Sequence, residues 1–165
     1  MSRRLLLGAA VVMAPVALAL AAWRGAPRTL LVAPDARGSF QALWAASVAA
    51  RAERVACLAS TVDGDTLRIL RVQPLDAGAD STAVSAAASL ETCGPPAWQG
   101  TVHTHITLRD DQPAPRMFSG SDRGVMLMWW QRWKADGTFC LLYAPDEAHC
   151  EIDGAGLVIL PSTRY

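Results

Sequence analysis

The chain reads as an α/β or α+β sandwich, a mostly mixed β-sheet flanked by helices and preceded by an N-terminal apolar helix. Three observations predict it. Apolar residues change repeatedly between helical spacing and short continuous runs. Turn signals such as Asp63-Gly64-Asp65 and Asp153-Gly154 separate those runs. The order that results is helix, β-hairpin, helix, strand, helix and then a meander, a pattern that interleaves helices with a sheet. At 165 residues, 52% of them hydrophobic, the chain supplies one core.

The elements follow in order. Arg3 and Arg4 precede an uncharged run from Leu5 to Ala22. As a helix it would be about 27 Å long, just enough to cross a hydrocarbon core. The run ends in Ala17-Leu-Ala-Leu-Ala-Ala22, which offers A-x-A-type cleavage sites. A cleaved signal peptide and an uncleaved membrane anchor are both open, and residues 1–30 are assigned to that segment with its linker. Either one places residues 31–165 outside the cytoplasm, in a periplasmic or cell-surface location, secreted or anchored. Trp23 to Arg37, with Pro27 and Pro34, reads as an irregular lead-in. Ser39 is the expected cap of a helix whose apolar face is Phe40, Leu43, Trp44 and Val48, ending near Arg51–Glu53.

Val55–Thr61 and Leu67–Val72 form the predicted hairpin, the first strand covered on both faces. Ala79–Glu91 is a small-residue helix, broken by Gly94-Pro-Pro. Gly100–Ile106 is a strand, and Thr107–Phe118, with Pro113 and Pro115, a polar loop. A helix runs from Gly120 or Ser121 to about Lys134, with Val125, Met128, Trp129 and Trp133 on one stripe. Strands near 138–144, 148–152 and 156–160 complete the chain.

Zero formal net charge, from 15 Lys+Arg against 15 Asp+Glu, and only 18% charged residues argue against phosphate-neutralising nucleic-acid binding. The same balance argues against disorder. Four cysteines without a C-x-x-C argue against a zinc ribbon and permit two disulfides in an oxidising compartment. If Ala144–Asp146 is a three-residue loop, Tyr143 faces Glu147 and Cys140 faces Cys150. A bridge or two small buried thiols would both fit that register.

His103-Thr104-His105 lies at the end of a predicted strand. Residues i and i+2 of a strand share a face, which lets two imidazoles converge on one ion. Asp122, in Ser119-Gly-Ser-Asp122, would offer a carboxylate from the first turn of the following helix. The same pattern also serves as a cap and dipole partner. Two His and one Asp leave a fourth coordination position open, as catalytic zinc sites do. Glu53, where the first helix meets the first buried strand, is the candidate base; a solvated helix-end carboxylate is the plainer reading. His149, beside Cys150, has no partner at ligand spacing and reads as structural.

A Glu well upstream, then H-x-H, then S-x-x-D resembles the JAMM/MPN+ (JAB domain) zinc metallopeptidases, over roughly residues 38–160. Ile106 stands where that family usually has Pro, and the loop from His105 to Ser119 is longer than usual; both bear on a substrate loop more than on a metal. The resemblance implies a cytidine-deaminase-like MPN sandwich for the domain. It implies Zn²⁺ on His103, His105 and Asp122, Glu53 as general base and Ser119 as oxyanion donor. The implied activity is hydrolysis of a peptide or isopeptide bond in a peptide or protein substrate. The membrane would be a partner through the N-terminal helix if that is uncleaved. A non-catalytic MPN-type scaffold and an extracytoplasmic metal-binding protein are the two other classes.

Overall fold

The computed structural model describes residues 26–75, 82–107 and 113–165. The apolar run from Leu5 to Ala22, residues 108–112 of the polar loop and most of the lead-in before Pro27 lie outside them. Among the described residues no helix is long and apolar enough to cross a membrane.

The order is β1 (Thr29–Val32), α1 (Pro34–Ala50), β2 (Val55–Asp63), β3 (Thr66–Pro74), α2 (Thr82–Thr92), β4 (Gly100–Thr104), α3 (Gly120–Trp133), β5 (Gly137–Ala144), β6 (Glu147–Asp153), β7 (Leu157–Ile159) and β8 (Thr163–Arg164). All strands join one curled mixed sheet, ordered β1-β3-β2-β4-β5-β6-β7, with β8 also on β6. β1 runs parallel to β3 and β4 parallel to β5; the other pairs are antiparallel.

Both faces of the central strands are covered, and the side chains divide by alternation. On one face Phe40 and Leu43 of α1 pack on Leu58, Leu67, Ile69, Val102 and Leu142. On the other, Met126 and Trp129 of α3 pack on Phe139, Leu141 and Tyr143. β5 therefore has no exposed residue from Gly137 to Tyr143. Gly100 is required where β4 meets β5: a Cβ there would stand 1.8 Å from the Thr138 carbonyl oxygen.

Several expectations need correction. α1 starts at Pro34, five residues before Ser39, with Ala33 as an N-cap that makes no side-chain bond. Proline is suited to that first position, since its missing N–H has no helical partner to lose. Ser39 lies inside the helix, its hydroxyl donating to the Asp35 carbonyl at 3.2 Å. The buried stripe is Ala36, Phe40, Leu43 and Ser47, and Val48 is exposed. The lead-in contains β1, and β8 extends the sheet beyond the predicted meander. On α3 the buried residues are Met126 and Trp129, and Met128 faces outward.

Cys140 does pair with Cys150, and they are bonded. The connection is shorter than expected, because Ala144 pairs with Glu147 and a bulge between Leu142 and Ala144 restores the register. Cys57 bonds Cys93, tying β2 to the segment just after α2. Two disulfides and no free cysteine are what an oxidising compartment allows.

Candidate metal centre

The site forms where the C-terminal end of β4 meets the N-terminus of α3. β4 lies between β2 and β5, so its backbone is fixed on both sides: Val55 is opposite His103, and His103 opposite Leu141. The strand direction continues past Thr104, since the His105 amide donates to the Leu142 carbonyl at 2.8 Å. Thr104, between the histidines, turns to the opposite face. Its hydroxyl meets Ser47 of α1 at 2.6 Å and accepts from the Arg54 amide at 2.9 Å. The two imidazoles thereby share the α3 side of the sheet, as the two-residue period requires.

Their Nε2 atoms approach to 3.2 Å. Asp122 Oδ1 lies 3.4 Å from His103 Nε2, and Oδ2 lies 3.4 Å from His105 Nε2. A tetrahedral ion with bonds of about 2.0–2.1 Å separates its ligand atoms by about 3.3–3.4 Å. Each approach is near that spacing, the two to Asp122 being made by different oxygens. His103, His105 and Asp122 form a triangle that could hold a metal ion, one ligand atom from each lying within 4.8 Å of the others.

The orientation of each donor has a cause. His105 Nδ1 lies 3.1 Å from the Pro115 carbonyl oxygen, which can only accept. The proton therefore sits on Nδ1, and in the neutral ring Nε2 presents a lone pair to the site. Asp122 is held by Ser119, whose amide donates to Oδ2 at 2.6 Å and whose hydroxyl donates to the same oxygen at 2.7 Å. In return the Asp122 amide donates to Ser119 Oγ at 3.2 Å, completing a capping box. One motif thus caps α3 and aims the carboxylate, so the structural and ligating roles of Ser119 and Asp122 coincide.

Phe118 packs against both His103 and His149 with ring centroids 5.6 Å apart in each case. The Arg123 guanidinium lies over its ring, at 5.4 Å. Phe118 takes the place of the hydrophobic residue that often precedes a helix cap and fixes the entry of the chain.

The electrostatics follow from this packing. Burial alone would raise the Asp122 carboxyl and lower His105. For Asp122, hydrogen bonds from His103 and His105, the His103 charge and Ser119 prevail, holding it well below the usual carboxylate range. For His105, the Asp122 hydrogen bond, the Pro115 carbonyl and the charges of Glu53 and Asp122 together prevail and raise it above 6.5.

A cleft of about 340 Å³ opens beside the triangle. Glu53, His103, Ser121 and Asp122 line it, with apolar walls from Val55, Ala86, Phe118, Val125, Met126 and Phe139. The structure thus brings Glu53 to the same cleft as two of the three proposed ligands. Ser119 sits at the cap of α3, its hydroxyl proton engaged by Asp122.

His149, expected to have no partner at ligand spacing, has one: Nε2 meets Glu151 Oε1 at 2.8 Å. Sequence reasoning missed the Pro115 carbonyl, Phe118, Arg54 and the Arg123–Glu151 pair. A backbone carbonyl carries no residue-type signal at all. Phe118 could have been found as the apolar residue just before a Ser cap.

No protein-family model matches the chain, and no curated protein matches it.

Proposed function

We propose that the protein is a zinc-dependent amide hydrolase of the JAMM/MPN+ type, acting on a peptide or isopeptide bond. The observation that carries the reading is the convergence of His103 Nε2, His105 Nε2 and the Asp122 carboxylate, 3.2 Å between the imidazoles and 3.4 Å from each to one of the two Asp122 oxygens, beside a cleft that Glu53 also lines. Two imidazole nitrogens and one carboxylate suit Zn²⁺, and three protein ligands leave room for a water. Zinc bound there would lower the pKa of such a water towards neutrality and polarise a carbonyl oxygen.

The chain's own groups do the rest. Glu53 takes the proton from the attacking water and later gives it to the departing amine nitrogen. It is exposed at the cleft rim, so it can exchange that proton with solvent between turnovers. Ser119 has two uses for one hydroxyl proton: it bonds Asp122 in the resting site and donates to the substrate oxyanion in the tetrahedral intermediate. When the hydroxyl turns to substrate, the Ser119 amide still holds Asp122 Oδ2 at 2.6 Å. The apolar walls lower the polarity around the scissile bond and strengthen both interactions.

The sheet with α1 on one face and α2 and α3 on the other supports the MPN-sandwich reading. The two disulfides support an extracytoplasmic, periplasmic or cell-surface location, where a peptide or an envelope protein is within reach.

The test is Glu53→Gln. The expected result is one zinc per chain, as in the wild type, with peptide hydrolysis reduced by about 100-fold or more. Unchanged hydrolysis removes Glu53 from the reaction. Absence of zinc from the wild type removes the metal reading altogether.

A further inference from the structure

Arg54 is the one arginine or lysine among the described residues that line the cleft. Its backbone is held firmly, because the amide donates to Thr104 Oγ1 at 2.9 Å and the carbonyl accepts from the Thr104 amide at 3.0 Å. The residue is thus fixed across from the one that separates His103 and His105, next in sequence to Glu53. Its side chain makes no ion pair among the described residues, and its Nε–H is buried without a hydrogen-bond partner.

The Nε–H, closed to water, is closed to substrate as well; the two terminal nitrogens are not among the buried atoms without a partner and bond no described side chain. Glu53 and Asp122, the two carboxylates of the same cleft, do not pair with them. Asp122 is committed to His103, His105 and Ser119. Those two terminal N–H groups, side by side in the plane of the guanidinium, match a carboxylate in bidentate fashion.

We propose that Arg54 anchors a carboxylate of the substrate, so that the cleft selects short peptides that end in a free carboxylate close to the scissile amide. The inference deepens the hydrolase reading and rests on it. The apolar walls accept small uncharged side chains, and Arg54 supplies the single cationic contact that sets polarity and register. A side-chain carboxylate from Asp or Glu presents the same two oxygens, so the source of the carboxylate has to be separated by experiment.

The experiment uses the zinc-loaded full chain carrying Glu53→Gln, so that binding is read without turnover. The probes are pooled N-acetylated tetrapeptides prepared in two forms, free acid and C-terminal amide, with retention measured by mass spectrometry. The free acids should be retained about tenfold or more over the amides, the value of one charge-assisted bond. Adding Arg54→Gln should abolish the preference, and Arg54→Lys should recover only part of it, with zinc stoichiometry unchanged in both. Thermal unfolding of the two variants guards against a misfolded protein, and Arg54→Lys keeps the test alive if Arg54→Gln does not fold.

Equal retention of acids and amides overturns the proposal, as does a preference that survives Arg54→Gln. Retention of amides only where they carry Asp or Glu, lost on Arg54→Gln, keeps the anchor but overturns the chain-end specificity. Failure of the hydrolase reading would show separately, as missing zinc or as hydrolysis indifferent to Glu53.

Discussion

Arg123 directs both terminal nitrogens of its guanidinium at the two oxygens of Glu151, a carboxylate with no solvent exposure. The pair crosses from α3 to β6, one residue beyond Asp122. His149 adds a third bond to Glu151 at 2.8 Å. Burial alone would raise the Glu151 carboxyl, but Arg123 and His149 hold it below its ordinary 4.5.

Removing either partner should be unequal in cost. Arg123→Met strands a charge that water cannot reach, and should destabilise by about 3–5 kcal/mol. Glu151→Gln leaves Arg123 about a third exposed, able to find water, and should cost less. Urea unfolding of the two variants checks the order, and the reverse order would show that Glu151 is not held as an ionised group. Glu151 also adds acid sensitivity. With its folded pKa depressed, its contribution is present above 4.5 and is lost as pH falls through the lower folded value.

Zinc affinity should rise with pH through a value above 6.5. His105 must shed its Nε2 proton to ligate, and its pKa is raised in the metal-free protein. The metal-free fold responds in the opposite sense. Stability from a raised His105 is fully present below 6.5 and is lost as pH climbs through the folded pKa. Chelator competition at pH 6 and pH 8, run beside thermal melts of the metal-free chain, should show the two trends diverging. Parallel trends would sink the assignment of His105 as a ligand.

Ser119→Ala should lower stability by about 1 kcal/mol through loss of the cap. It should also weaken zinc binding by about tenfold, since the carboxylate loses an orienting partner. Ser119→Thr, which keeps the hydroxyl, should restore both. Zinc titration followed by thermal unfolding reads the two effects on one sample. An Ala variant with native affinity would mean that the Ser119 amide alone suffices to aim Asp122.

The disulfides should differ in value. Cys57–Cys93 closes a separation of 36 residues and Cys140–Cys150 one of 10. Loop-closure entropy gives about 4 kcal/mol for the first and about 3 kcal/mol for the second. The second also joins strands already paired in a hairpin, so its removal should be felt less. Melting temperatures of the two double Cys→Ala variants decide the order.

The parts of the site legible in the sequence are those governed by short-range geometry. His103 and His105 share a face because a strand repeats every two residues. Ser119 and Asp122 are found by the spacing of a helix cap. The Cys140–Cys150 pairing follows from hairpin register, and a bulge near Tyr143 compensates for the shorter turn. What was hidden depends on distant partners. β1 is four residues between prolines, and only its parallel pairing with β3 makes it a strand. The start of α1 carries no side-chain cap to read. On α3, Met126 rather than Met128 faces the sheet, a phase set by what the helix packs on. The tautomer of His105 is fixed by a peptide oxygen at Pro115, which any residue would supply.

The shared Ser119–Asp122 box has one more consequence. Two ligands sit at the end of β4 and just beyond it, and the third on the first turn of a helix, so an ion at the triangle would staple helix to sheet. Amide hydrogen exchange should then slow at the start of α3 when zinc is added, while β4 and β5, already shielded, change little. The ease with which that turn frays would set how fast the ion escapes.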